Sequence, residues 1–288
     1  MMRRRSHAGG FTLVELIVVM VLVGIIGGVL ALQLAPAIQS YLLVGQRAAL
    51  TNQADTALRK IVGDVRRAVP NSLRLGGADC LELVPSKDGG RYRTGPDTGN
   101  GAVTGAFLDN SEDRTRFDVL TPSTDAAVPG DAIVIGNQNT SDVYDQANVG
   151  IVVPPAAPAT PVTGVSSITV TPAIRIPPGY DGGRFQVVPK DEKVVTYRCV
   201  GAGENAQGDG TGTLYRLVDA NFHQLPQCTG AVPNGVAVLA TKVTSCAFIY
   251  SPNQGATQES GFVQLQLTLS AKGEAIPLTI GAHVDNVP

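Results

Sequence analysis

From Leu16 to Leu32 every residue is apolar or glycine, and one acid, Glu15, stands just inside the start of that run. A stretch of this kind is long enough to cross a bilayer, which needs about 20 apolar residues. An ionisable group inside such a segment is costly and normally has a partner, so Glu15 reads as functional. Ahead of it lies a short basic leader with Arg3, Arg4 and Arg5. A secretory signal peptide places its small-residue cleavage site after the apolar stretch. Here the small residues, Gly9 and Gly10, come before it. A cut at that point removes the charges and keeps the hydrophobic segment. A plain membrane anchor explains the length of the run but not Glu15.

The octet Gly9-Gly10-Phe11-Thr12-Leu13-Val14-Glu15-Leu16 resembles the processing site of type IV pilins and of the pseudopilins of type II secretion. In that family a membrane peptidase cuts after the glycine and methylates the new N-terminus. The resemblance implies cleavage between Gly10 and Phe11, N-methylation of Phe11, and Glu15 as fifth mature residue, with Thr12 and Glu15 serving assembly. Strict similarity covers Gly10 to about Val69. The implied fold is α+β: a long N-terminal helix, transmembrane in its first half and amphipathic in its second, packed on an antiparallel β-sheet. The implied segments are a leader at 1–10, a membrane or filament-core helix at 11–34 and its amphipathic half at 35–69. A periplasmic β-rich domain follows at 70–288, with a long loop region at 85–165. Ser245-Cys246-Ala247-Phe248 and the terminal His283-Val284-Asp285-Asn286-Val287-Pro288 also resemble the MshO-type minor pilins of the mannose-sensitive haemagglutinin (MSHA) pilus.

What that resemblance implies is assembly. The subunit would sit in the inner membrane with its N-terminus cytoplasmic, then move into a pilus at the cell surface. Its partners would be other major and minor pilin subunits, the prepilin peptidase and the inner-membrane assembly platform. The large size supports a minor subunit that primes assembly or sits near the tip of a fibre used for surface attachment. Two alternatives stand beside it: a large minor pseudopilin of type II secretion, and a periplasmic enzyme on a membrane anchor.

Charge agrees with this orientation. The leader arginines mark the cytoplasmic side, and losing them takes the formal net charge from −2 to −5. A mildly acidic chain without Trp is a poor nucleic-acid binder, because backbone binding needs clustered Lys and Arg. On the outer side of the membrane the four cysteines Cys80, Cys199, Cys228 and Cys246 are expected to form two disulfides. Three connectivities are possible. Proximity in sequence favours Cys199–Cys228, which leaves Cys80–Cys246.

Helical periodicity continues past Pro36. Leu50, Ala54, Ala57, Leu58, Ile61, Val65 and Ala68 make one face at spacings of three and four. The opposite face carries Asn52, Asp55, Arg59, Lys60, Arg66 and Arg67, and Pro70 ends the pattern. A single helix from Phe11 to Val69 would be about 88 Å long at 1.5 Å per residue. Gly24, Gly27, Gly28 and Pro36 are its expected weak points, where a kink or melted turn would fall; the glycines also permit close helix packing. Strands are predicted at 80–84, 132–135, 167–171, 184–188, 194–200 and 213–218. Residues 236–250, 262–269 and 276–284 add three more. Phe262 to Leu269 alternates with period two, so one face is buried and the other wet. The stretch 152–164, with Pro154, Pro155, Pro158 and Pro161, reads as an extended arm.

No catalytic or metal-binding constellation, and no cofactor motif, is legible. His7 leaves with the leader, and His223 and His283 lie in no metal or triad motif. Gly201-Ala202-Gly203-Glu204 fails as a phosphate loop because its third glycine is misplaced and a strand follows. Asp181-Gly182 and Asp209-Gly210 lack the spaced ligands of a calcium loop and read as solvated turns.

Overall fold

The computed structural model describes residues 10–96, 106–155, 161, 163–254 and 260–288. The basic leader through Gly9 therefore lies outside the described residues. So do parts of the turn-rich stretch and of the Pro-rich arm. The chain divides into two compact units, Met1–Ala49 and Leu50–Pro288. Helix α1 (Leu13–Arg66) runs through Gly24, Gly27, Gly28 and Pro36 without a break, so no turn melts there. It ends three residues short of the expected Val69.

The strands, in order, are β1 (Arg74–Gly77), β2 (Cys80–Leu83), β3 (Asp88–Arg91), β4 (Arg114–Val119) and β5 (Ala132–Val134). After the short helix α2 (Thr140–Tyr144) come β6 (Val149–Val152), β7 (Ser166–Ile174), β8 (Arg184–Val188) and β9 (Val194–Val200). The last four are β10 (Gly212–Asp219), β11 (Ala237–Gln254), β12 (Ser260–Ala271) and β13 (Glu274–Asp285). They form two antiparallel sheets. One has seven strands in the order β1-β2-β9-β10-β11-β12-β13, the other six in the order β3-β8-β5-β6-β7-β4.

The seven-stranded sheet exists to cover a helix. Leu50, Ala54, Ala57, Leu58, Ile61 and Val65 are buried in one cluster with Leu81, Tyr197, Leu214, Val263, Leu265 and Leu267 from the sheet. Ala54 and Ala57 in the middle of the stripe let backbone and sheet approach closely. Along β12 burial alternates residue by residue from Ser260 to Leu269, with Val263, Leu265 and Leu267 turned in and Gln264, Gln266 and Thr268 half wet. The fold is thus α+β, a pilin-like arrangement of an N-terminal helix and antiparallel sheet.

The stretch 85–165 is not the long loop region that its composition predicts. It contributes β3, β4, β5, α2 and β6, and the second sheet is inserted between β2 and β9. That sheet closes on itself. Tyr92, just after β3, bridges Val119 at the end of β4. The Leu120 amide donates to the Arg91 carbonyl at 2.8 Å, and the Arg93 amide to the Asp118 carbonyl at 3.0 Å. Closure removes the open edges that a sheet of short strands would otherwise expose. The interior is filled by Tyr92, Phe117 and Phe185, stacked edge to face at 6.2 and 5.6 Å, with Ile133, Val170 and Ile174 around them. Gly150 on β6 is needed here, because a Cβ would sit 2.7 Å from Ile174. β5 lies where the sequence predicts a strand at 132–135; β3 and β4, short and rich in Asp, Gly and Arg, carry too little periodicity to announce themselves.

The disulfide pairing also differs from the expectation. The bridges are Cys80–Cys228 and Cys199–Cys246, not Cys199–Cys228 and Cys80–Cys246. The loop after β10 turns back to the first hairpin. There Arg74 donates to the His223 and Gln224 carbonyls, both at 2.7 Å, and the Gln227 amide donates to the Glu82 carboxylate at 3.0 Å. That places Cys228 beside Cys80, and proximity in sequence is overruled by the path of the loop.

One charged cluster centres on a carboxylate buried between helix and sheet. Asp64 is 2% exposed. It accepts hydrogen bonds from Tyr197 Oη at 2.5 Å, Arg216 Nε at 2.9 Å, and Lys60 and Arg67 at 3.0 Å each. Burial alone would raise its pKa, but the hydrogen bonds from Tyr197, Lys60 and Arg216 outweigh that and hold the carboxyl below the ordinary aspartate range. The resulting stability is fully present above the unfolded value of about 3.9. It is lost as pH falls through the lower folded value.

Two outcomes follow. Peptide mapping without reduction should recover Cys80 linked to Cys228 and Cys199 linked to Cys246; a Cys80–Cys246 peptide would refute this topology. Asp64→Asn should cost about 3 kcal/mol at pH 7, as breaking a buried pair does, and should flatten the fall in stability below about pH 4. Urea midpoints at both pH values test it, and a variant as stable as the parent at neutral pH would show the cluster to be inert.

Candidate functional site

The first turn of α1 is built by its own side chains. Thr12 stands at the N-cap: its hydroxyl accepts from the Glu15 amide at 3.3 Å, and its carbonyl accepts from the Leu16 amide at 3.2 Å. Glu15 is therefore the third helical residue, an acid in the turn where the helix dipole is positive. Thr12-x-x-Glu15 is the sequence pattern of a capping box. That pattern was legible in the sequence, yet the octet alone did not show that Thr12 also starts the helix.

Beyond Glu15 no charge appears until Arg47. The most apolar window of this helix has a mean hydropathy of 2.8. Its large side chains stand open to the surroundings: Leu22 is 52% exposed, Ile25 59% and Tyr41 79%. A helix that is apolar all round is stable only when something apolar surrounds it, either lipid or other helices. The run from Leu16 to Gln46 would be about 46 Å long at 1.5 Å per residue, more than the roughly 30 Å of hydrocarbon in a bilayer.

The glycines here are informative by what they do not touch. A Cβ added at Gly10, Gly24, Gly27, Gly28 or Gly45 would meet nothing within 4 Å. Among the described residues no packing requires glycine at these places.

Residues 5–31 match the prokaryotic N-terminal methylation motif.

That match covers about a tenth of the chain and ends well before the β-rich unit. It supports a type IV pilin-like or pseudopilin subunit, a structural class and not an enzymatic one. Together with the apolar helix it suggests membrane anchoring, and the pilin-type motif suggests assembly with a peptidase and other pilins. No curated protein and no solved structure matches the chain.

The remaining residues singled out in the sequence take structural places. His223 Nε2 lies 2.9 Å from the Asp219 carboxylate, and His283 is exposed with its ring 5.3 Å from that of Phe262. Among the described residues no three His, Cys, Asp or Glu side chains are grouped as a metal would need. Gly201 lies at the start of the β9–β10 connection with φ +66°, and Asp209 accepts the Lys272 amide at 2.8 Å. In the terminal segment Asn286 is buried; its carbonyl accepts from the Asn71 side chain at 3.0 Å and its amide donates to the Pro252 carbonyl at 2.7 Å. This pins the C-terminus to the turn that follows α1. Cys246 is in a disulfide, and Phe248 is core.

Thr12→Ala should weaken the first turn by about 1 kcal/mol, the usual loss for an N-cap. Amide exchange of the full chain in detergent micelles reports it: Glu15 should exchange about fivefold faster in the variant, as a loss of that size dictates. Unchanged exchange at residue 15 would show that the cap does not hold the turn.

Proposed function

We propose that the chain is a minor pilin of a type IV, MSHA-like pilus, a subunit that primes assembly or sits near the tip of a fibre for surface attachment. The observation that carries this reading is the methylation motif at residues 5–31 leading into a helix whose large apolar side chains, as far as Val44, stand exposed among the described residues. The peptidase cuts between Gly10 and Phe11 and methylates Phe11. Residues 11–34 hold the subunit in the inner membrane with the N-terminus cytoplasmic, and residues 35–69 carry the helix out to the domain at 70–288. On extraction the same segment enters the filament core.

Glu15 sets the register between subunits. In a dry core it accepts a charge-assisted hydrogen bond from the Phe11 amine of a neighbour, with Thr12 holding the turn that aims it. The inserted second sheet supports a minor over a major subunit. A major pilin must pack densely along the whole fibre, whereas one at the end has room for an additional barrel.

Mass spectrometry of membrane-extracted protein should find Phe11 as the methylated N-terminus. An intact leader in a host with the peptidase would end this reading. Glu15→Ala should leave the protein folded and inserted, because removing an acid from an apolar segment eases insertion, a central Asp costing about 2.5–3.5 kcal/mol. It should instead cut incorporation into filaments, since an unpaired buried amine costs about 3–5 kcal/mol. Glu15→Gln should behave alike. Normal incorporation of both variants would show that Glu15 is not the register device. Deletion in the source strain separates the related systems: lost surface pili support the minor pilin, and lost protein secretion with intact pili supports the pseudopilin.

A further inference from the structure

The six-stranded sheet closes its edges, and the seven-stranded sheet leaves a long one open. β13 is its outermost strand, 12 residues long, and among the described residues it pairs with β12 alone. Its register with β12 runs from Glu274 to Asp285 without a bulge. An unpaired edge of that length is a row of backbone donors and acceptors, a template for another strand. Proteins that keep such an edge away from other chains shorten it, bulge it, or set lysine and proline on it. Between Glu274 and Asp285 there is no Lys or Arg and a single proline, Pro277.

Pro277 also tells which amides face outward. It lies opposite Thr268 within the ladder, and a strand tolerates proline where its nitrogen points away from the neighbour. Along an antiparallel strand the backbone groups of successive residues alternate from side to side. Thr279, Gly281 and His283 therefore turn their N–H and C=O groups to the open side, while Leu278, Ile280 and Ala282 give theirs to β12. On the helix side, Ile276, Leu278 and Ile280 are half-buried and packed against the cluster that holds the α1 stripe. The apolar layer between helix and sheet thus reaches this edge and ends there half covered.

We infer that the β13 edge takes an extended segment of a partner protein as an eighth strand. β12 shows the chemistry of such a segment, because it is what β13 accepts on its other side. Val263, Leu265 and Leu267 turn toward the helix, and Gln264, Gln266 and Thr268 turn away from it. The occupant is a strand of the same alternation, with its backbone donors intact and apolar side chains beside Leu278 and Ile280. A second copy of this chain fits worse. Two β13 edges whose apolar rows share a face are related by a twofold axis normal to the sheet. That axis runs the two 50–66 helix segments in opposite directions, whereas subunits in one membrane or one filament run theirs the same way. The choice of occupant rests on the assembly reading; the open edge does not.

The test uses the full chain in detergent micelles and a labelled, lysine-tailed peptide copying Ser260–Ala271, read by fluorescence anisotropy against protein-free micelles. Binding is expected. A peptide laid antiparallel, as every neighbour in this sheet is, faces β13 with the amides of its polar residues. N-methylation at its Gln264, Gln266 and Thr268 should weaken binding about tenfold or more, through lost hydrogen bonds. N-methylation at its Val263, Leu265 and Leu267 should leave binding within about twofold, because those amides face away. Thr279→Pro in the protein removes an outward amide and spares the β12 ladder; it should weaken the parent peptide about tenfold with the melting temperature unchanged. Neither readout turns on processing at Gly10, so failure here and failure of the assembly reading are told apart. No binding, or binding weakened alike by both methylated sets, overturns the proposal. Sedimentation in the same micelles reads the competing occupant: a dimer that Thr279→Pro dissolves gives the edge to a second copy and overturns it as well.

Discussion

The contact between the apolar stripe of α1 and the seven-stranded sheet is the constraint on which the β-rich unit rests. Six side chains from Leu50 to Val65 are buried on it. At about 1.5–3 kcal/mol for each large aliphatic residue, this contact is among the larger favourable contributions in the unit. β2, β9, β10, β11, β12 and β13 all supply buried residues to the cluster that holds this stripe. Asp64 sits on that helix among cationic and phenolic partners from both layers. The bonds from Tyr197 and Arg216 to this carboxylate tie the helix to the sheet.

The two parts of α1 obey opposite demands. Residues after Leu50 have their environment supplied by the sheet of their own unit. The large apolar side chains from Leu13 to Val44 stand exposed among the described residues, and a helix apolar all round needs lipid or other helices about it. Thr12 and Glu15 are the polar exceptions at its tip, and both act within the first turn.

How much of this was legible in the sequence follows from signal strength. The helix stripe was plain, because Leu50, Ala54, Leu58, Ile61 and Val65 repeat over more than four turns. β12 was plain too, since Val263, Leu265 and Leu267 alternate with Gln264, Gln266 and Thr268. The octet around Gly10 and Glu15 pointed to the methylation motif that residues 5–31 match, though the cap made by Thr12 became visible only with its hydrogen bonds. The second sheet was legible in part: strands are expected at 132–135, 167–171 and 184–188, where β5, β7 and β8 lie, but not at β3, β4 or β6. β3 is Asp-Gly-Gly-Arg and carries no period. The Tyr92–Val119 closure joins residues 27 positions apart with nothing local to announce it. The disulfides were misassigned for a related reason: Arg74 and Glu82 steer the loop bearing Cys228, and both lie about 150 positions earlier.

The barrel leaves the main sheet after Leu83 and returns at Val194, and Leu83 pairs with Val195 in adjacent strands. Its two entry points are therefore one ladder apart. Two antiparallel neighbours can be joined by a turn of a few residues. The hundred or so residues between them are, in geometric terms, an outsized hairpin loop that has acquired its own core. It is nevertheless tied down: the Tyr144 hydroxyl donates to the Ser72 carbonyl at 2.7 Å, and Val143 and Tyr144 share a buried cluster with Val69 and Val84, so a change in this loop would be felt at the turn that follows the helix.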